Sequence, residues 1–123
     1  MMRIPVLLLV ILGGCAGSTM TRTELFFGLS KPDGGAITDQ EWQAFVEDTI
    51  TPRFPDGFTI IDGEGQWREA SGHISHEHSK ILLILHPHDQ SSVKKLDEIR
   101  AAYKDRFKQE AVIRESSDAT VSF

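Results

Sequence analysis

Hydrophobic positions in this chain switch between a period of two and a period near 3.6, and the switches mark its elements. Between Thr23 and Leu29, the residues Leu25, Phe27 and Leu29 alternate with Glu24, Phe26 and Gly28, as on a half-buried strand. Lys31-Pro32-Asp33-Gly34-Gly35 ends that pattern with turn formers. A helix follows. Thr38 with Glu41 three residues on makes a capping box, and Ile37 with Trp42 makes the hydrophobic staple around it. Trp42, Phe45, Val46 and Ile50 share one helical face, and Pro52 stops the helix because it has no N–H to donate.

The second half repeats the theme. Phe58–Ile61 reads as a strand, with a kink or bulge at Asp62-Gly63-Glu64-Gly65 before Gln66-Trp67-Arg68. Ala70-Ser71-Gly72 reads as a hairpin tip. The third strand, Lys80–His86, is apolar at every position from Ile81 to Leu85, which predicts a central strand covered on both faces. Asp89 caps a second helix whose stripe is Val93, Leu96, Ile99, Tyr103 and Phe107, with Arg100 at its edge. Ala111–Ile113 is expected to be a fourth strand, Ser116-Ser117-Asp118 a turn, and Thr120–Phe123 a short fifth strand.

This order predicts an α+β, ferredoxin-like β-α-β-β-α-β domain. Its antiparallel sheet has both helices on one face and strands one and three at the centre. The other face is left open. With Leu25, Leu83 and Leu85 turned to the helices, Phe26, Leu82 and Ile84 would point outward and form an interface. An apolar patch of that kind predicts a homodimer through the open face, or a small ligand bound on the sheet.

The N-terminus follows neither period. Arg3 precedes an apolar run from Ile4 to Leu12, and Leu12-Gly13-Gly14-Cys15 closes it with small residues around the only cysteine. Nine residues reach only about 14 Å as a helix, against about 20 residues for a bilayer span, so the run fits a secretory leader. The motif resembles the lipobox of bacterial lipoproteins, which implies cleavage before Cys15 and acylation of its sulfur. The expected organisation is a signal peptide over 1–14, an acylated Cys15 with a flexible tether over 15–21, and one domain over 22–123. Ala16 stands where an Asp would mark inner-membrane retention. The resemblance therefore points to the outer membrane, facing the periplasm.

Composition narrows the partners. The 123 residues carry a formal charge of −5, and loss of the leader with its single Arg3 would take this to −6. An acidic surface excludes nucleic acid, which attracts clustered Lys and Arg, and electrostatic docking on anionic lipid. Membrane attachment is then left to the lipid anchor. No second cysteine is present for a disulfide.

Several stretches resemble one family in order. They are Thr23-Glu24-Leu25-Phe26-Phe27-Gly28, Thr51-Pro52-Arg53-Phe54-Pro55-Asp56-Gly57-Phe58, Gly65-Gln66-Trp67-Arg68 and Ser79-Lys80-Ile81-Leu82-Leu83-Ile84. Together they are similar to the bacterial family known as domain of unknown function 3574, over about residues 22–123. The resemblance implies a small exported protein and brings no activity, substrate, cofactor or catalytic residue.

Candidate chemistry is sparse. His76 and His78 share a strand face and would be the pair to hold a metal, with Glu77 and Asp89 nearby; the plain reading is a solvated loop and strand end. Arg53, stiffened by Pro52 and Pro55, would hold a carboxylate or phosphate of a small ligand, with Trp67, Arg68 and Lys80 beside it. The plain alternative is that Arg53 bonds loop carbonyls or Asp56. No Gly-x-Ser-x-Gly elbow and no phosphate loop occurs, and no cofactor is implied. The expectation is a non-enzymatic binding or accessory domain, lipid-anchored in the envelope. The alternative is a small ferredoxin-like enzyme with a pocket between sheet and helices, where Arg53, Glu24 or His86 would converge.

Overall fold

The computed structural model describes residues 17–123. The leader and Cys15 lie outside the described residues. Strand β1 spans Ser18–Gly28, helix α1 Asp39–Phe45, β2 Thr59–Arg68, β3 Ile74–His86, α2 Gln90–Phe107 and β4 Ile113–Val121. The four strands form one antiparallel sheet in the order β2-β3-β1-β4, so β1 and β3 are the inner strands.

Local signals set the helices. Thr38 accepts from the Glu41 N–H at 3.1 Å, and the Glu41 carboxylate accepts from the Thr38 N–H at 3.2 Å. Ile37 and Trp42 are both buried, as a staple requires. After Phe45 the helix widens: the Thr51 N–H bonds the Val46 carbonyl at 2.9 Å, five residues back, over a π-helical turn at Val46–Ile50. That turn buries Val46, Thr49 and Ile50 before Pro52. At the start of α2, the Asp89 carboxylate accepts from the Ser92 N–H at 2.7 Å.

The core lies between the sheet and both helices. Leu25 and Phe27 of β1 and Leu82 and Ile84 of β3 meet Trp42 and Phe45 of α1 and Leu96, Ile99, Tyr103 and Phe107 of α2. Phe27, Phe45 and Tyr103 pack edge to face, with centroids 4.7 Å apart for Phe27–Tyr103 and 5.1 Å for Phe45–Tyr103. The Tyr103 hydroxyl donates to the Gly28 carbonyl, so the buried phenol is satisfied.

Four sequence expectations are corrected. Leu82 and Ile84 are in the core, not on the open face, because the ladder sets Leu25 opposite Leu82 and paired residues share a face. The outward residues of β3 are Ile81, Leu83 and Leu85, beside Phe26. Second, β2 carries no bulge: its register with β3 runs unbroken from Thr59↔Leu83 to Arg68↔Ile74. A Cβ at Gly63 would meet Ser79 Oγ at 2.9 Å, so this glycine makes room for a neighbour instead of bending the strand. Third, Ser116–Asp118 does not turn, and no separate fifth strand follows; Ile113–Val121 is one edge strand along β1. Fourth, β1 begins at Ser18, so Ser18–Thr21 of the expected tether pair with β4.

Candidate functional site

One face of the sheet has no cover among the described residues. On it, Ile61, Ile81, Phe26 and Ile113 lie in consecutive register across all four strands. Ile113 is 64% exposed and Ile61 43%. The next row is Thr59, Leu83, Glu24 and Glu115, and beyond it Leu85, itself 43% exposed, pairs with Arg22. The face is therefore an apolar band bordered by both signs of charge. Arg22 bonds Glu24 at 2.6 Å, and Glu115 has no ion-pair partner among the described residues.

The β2–β3 hairpin runs past this face. β1 stops pairing at Gly28↔Ser79, and beyond it the Leu29 N–H bonds the His78 carbonyl at 3.0 Å and the Ser30 N–H bonds the Glu77 carboxylate at 2.9 Å, so the rungs from Gln66↔His76 to Arg68↔Ile74 stand as a two-stranded arm. The Gly72 φ of 89° lets the tip close, with the Gly72 N–H on the Glu69 carbonyl at 2.9 Å. Trp67 is on the same side of the arm as Ile61 and is 48% exposed.

The charged and aromatic residues singled out in the sequence do not converge. Arg53 donates to Glu98 of α2 at 3.0 Å and to the Thr49 carbonyl at 2.9 Å, so it ties the loop after α1 to α2. Lys80 pairs with Asp62. Trp67 and Arg68 lie near the arm's tip on opposite sides, at least five rungs from Lys80. His76 and His78 share one face of β3, and both are exposed. His78 Nδ1 is 3.8 Å from Glu64. Among the described residues no group of three or more His, Cys, Asp or Glu is placed to hold a metal. Glu24 is on the open face, away from Arg53, and of the three residues expected at a pocket His86 lines the cleft beside α2 while Arg53 and Glu24 do not.

That pocket is a cleft of about 340 Å³ on the helix side of the sheet, against the start of α2. The sheet supplies Thr21, Thr23, His86 and Ser116 as its floor, and Val93 and Leu96 of α2 form its wall. Thr23 and His86 are buried. His86 Nε2 is 2.7 Å from Thr23 Oγ1, which is 2.8 Å from Ser116 Oγ. His86 Nδ1 lies 2.8 Å from the Pro87 carbonyl. At the rim, His88 Nδ1 meets Thr21 Oγ1 at 3.0 Å. The Ser92 hydroxyl and N–H lower the Asp89 pKa, so this carboxylate is held as the helix cap.

Thr21, Thr23 and Ser116 were not among the residues expected at a site. Thr21 and Thr23 did carry a signal: they fall on the same strand parity as Leu25 and Phe27, where a buried strand face calls for apolar residues. Ser116 was hidden in a stretch that reads as a turn.

Fold and site together define a small α+β domain with an uncovered sheet face and a polar cleft among its described residues. Residues 22–123 match the family model described as protein of unknown function (DUF3574), and the chain belongs to that family. No curated protein matches it. Among solved structures, a phage SAM lyase in complex with S-methyl-5'-thioadenosine is similar at 21% identity and a TM-score of 0.64, covering 91% of this chain and 96% of that one. CutA from Synechococcus elongatus is similar at 15% identity and a TM-score of 0.51, over 90% of this chain and 85% of that one. These likenesses concern the fold. No helix among the described residues is long and apolar enough to cross a membrane.

Proposed function

We propose that this protein is a lipid-anchored envelope component, held at the outer membrane by acylated Cys15. Its ferredoxin-like domain serves as a non-enzymatic binding or assembly module. The observation that carries the binding role is the apolar row Ile61–Ile81–Phe26–Ile113, with Leu83 and Leu85 beside it on an uncovered face. The occupant of that face is a second copy of the chain. Arg22, bonded to Glu24 through one nitrogen, keeps further N–H groups that would meet the Glu115 of a second copy across a two-fold axis. The arm supports the same occupant. A free two-stranded ribbon is marginal in water, and Trp67 on the face side supplies an anchor that a partner would cover.

The strand-helix-strand-strand-helix-strand order, with the sheet order β2-β3-β1-β4, supports the ferredoxin-like assignment. Support for the anchor is the Leu12-Gly13-Gly14-Cys15 motif behind an apolar run. Two variants test the proposal. Cys15→Ser is expected to move the protein from the detergent phase to the aqueous phase, and unchanged membrane retention would refute acylation. Leu83→Arg is expected to lower the solution mass to that of one chain, and an unchanged mass would refute the face as the contact. A second reading, a small ferredoxin-like enzyme with its pocket between sheet and helices, has the His86 cleft in its favour. It requires turnover of a bound compound at that cleft.

A further inference from the structure

We infer that the cleft under the start of α2 is a binding site for a small, uncharged, polyhydroxylated ligand of about monosaccharide size. Its hydrogen bonds have a readable direction. A carbonyl only accepts, so the 2.8 Å contact with Pro87 puts a proton on His86 Nδ1. In the tautomer with that one proton Nε2 is an acceptor, and Thr23 donates to it at 2.7 Å. Thr23 has no second proton, so Ser116 donates to Thr23 at 2.8 Å. Ser116 Oγ, at the exposed end of this relay, turns only lone pairs to the cleft. It calls for a donor on the ligand.

The rim calls for acceptors as well. Arg114 lines the cleft and bonds Asp97 with one nitrogen at 2.9 Å, leaving other N–H groups to donate. The Nε2 of His88 has no partner among the described residues, and it donates in the tautomer whose Nδ1 accepts from the Thr21 hydroxyl. A hydroxyl group donates and accepts at once, and so answers both sides. Val93 offers an aliphatic wall for the C–H face of a ring, with the core residue Leu96 behind it.

Charge does not select the ligand, because the charges around the cleft offset one another. Arg114 and Arg100 both pair with Asp97, Lys95 lies near Asp89, which caps the Ser92 N–H, and Asp118 stands beside Thr21 on the same sheet face, so three cations stand against three carboxylates. A volume of about 340 Å³ falls at the lower end for ligand pockets, about 300–1,000 Å³. The cleft is on the helix side of the sheet. It is independent of the self-association proposed for the other face, and each can fail without the other.

The test is a set of NMR titrations of the isotope-labelled protein with D-glucose, N-acetyl-D-glucosamine and glycerol, and in parallel with acetate and inorganic phosphate. The inference predicts saturable shifts at Ser116, His86, His88 and Leu96 with at least one of the neutral compounds. Affinity is expected to weaken about tenfold in Ser116→Ala, the loss of one directed hydrogen bond. Ser116 is exposed on an edge strand, so this variant keeps the fold. Long-range nitrogen–proton spectra are expected to find His86 protonated on Nδ1 and bare on Nε2. Saturable shifts from the anions alone, none from any compound, or a proton on Nε2 would overturn the inference.

Discussion

Leu25 and Leu82 stand directly opposite each other in the β1–β3 ladder, and neither has exposed surface. This one pairing decides which side of β3 meets the helices. Leu82→Ala removes a side chain from a packed core and is expected to cost about 2–5 kcal/mol. Leu85, on the opposite side and 43% exposed, is expected to cost the isolated domain about 0.5 kcal/mol or less when cut to alanine. Urea denaturation at low protein concentration checks the contrast, and equal losses would contradict the register.

The start of α1 is expected to respond to acid. The Glu41 carboxylate accepts from the Lys31 ammonium and from the Thr38 N–H, and these bonds hold its pKa below the ordinary 4.5. Asp48, bonded by Arg106 and Thr49, and Asp89, bonded by Ser92, are lowered from 3.8. A carboxylate depressed in the folded state stabilises fully above its unfolded pKa and loses that contribution as pH falls through the folded one. Stability in urea is therefore expected to drop as pH falls below about 4.5, with a shallower drop in Glu41→Gln. At neutral pH, Thr38→Ala is expected to cost about 1 kcal/mol, the worth of an N-cap.

Tyr103 is the single tyrosine of the chain. Burial, with a smaller contribution from the Glu77 carboxylate, pushes its phenol well above the ordinary 10.0. Ultraviolet absorbance is expected to report no phenolate until alkali unfolds the domain, so that ionisation and loss of structure coincide. A separate, earlier ionisation would contradict the packing around Phe27 and Phe45. Tyr103→Phe keeps the ring and leaves the Gly28 carbonyl without its hydroxyl donor, an expected cost of about 1 kcal/mol.

The order of elements was legible because each helix carries its own start signal. Thr38 with Glu41, and Asp89 with Ser92, cap in the structure as their spacing predicts. The orientation of β3 was not legible. Ile81–Leu85 is apolar at each position, so a period of two leaves no trace in it, and only pairing with β1 settles which residues face inward. β4 was misread for a different reason. Ser116-Ser117-Asp118 has the composition of a turn, but an edge strand with one open side tolerates polar residues while β1 supplies its backbone partners. The cleft stayed hidden with it, since Ser116 lines the cleft only because β4 continues past Arg114.

The central claim, that the uncovered sheet face binds a second copy, is tested most directly by sedimentation velocity on the chain from Ala16 onward. Residues 17–123 of that chain hold the whole described core. The wild-type chain is expected to sediment with a mass at least twice that of one chain and to dissociate on dilution. Phe26→Glu, which places a carboxylate between Ile81 and Ile113, is expected to sediment as a single chain with an unchanged urea midpoint at low concentration. A wild-type chain that stays single at every concentration, or a Phe26→Glu chain that keeps the larger mass, would contradict the account.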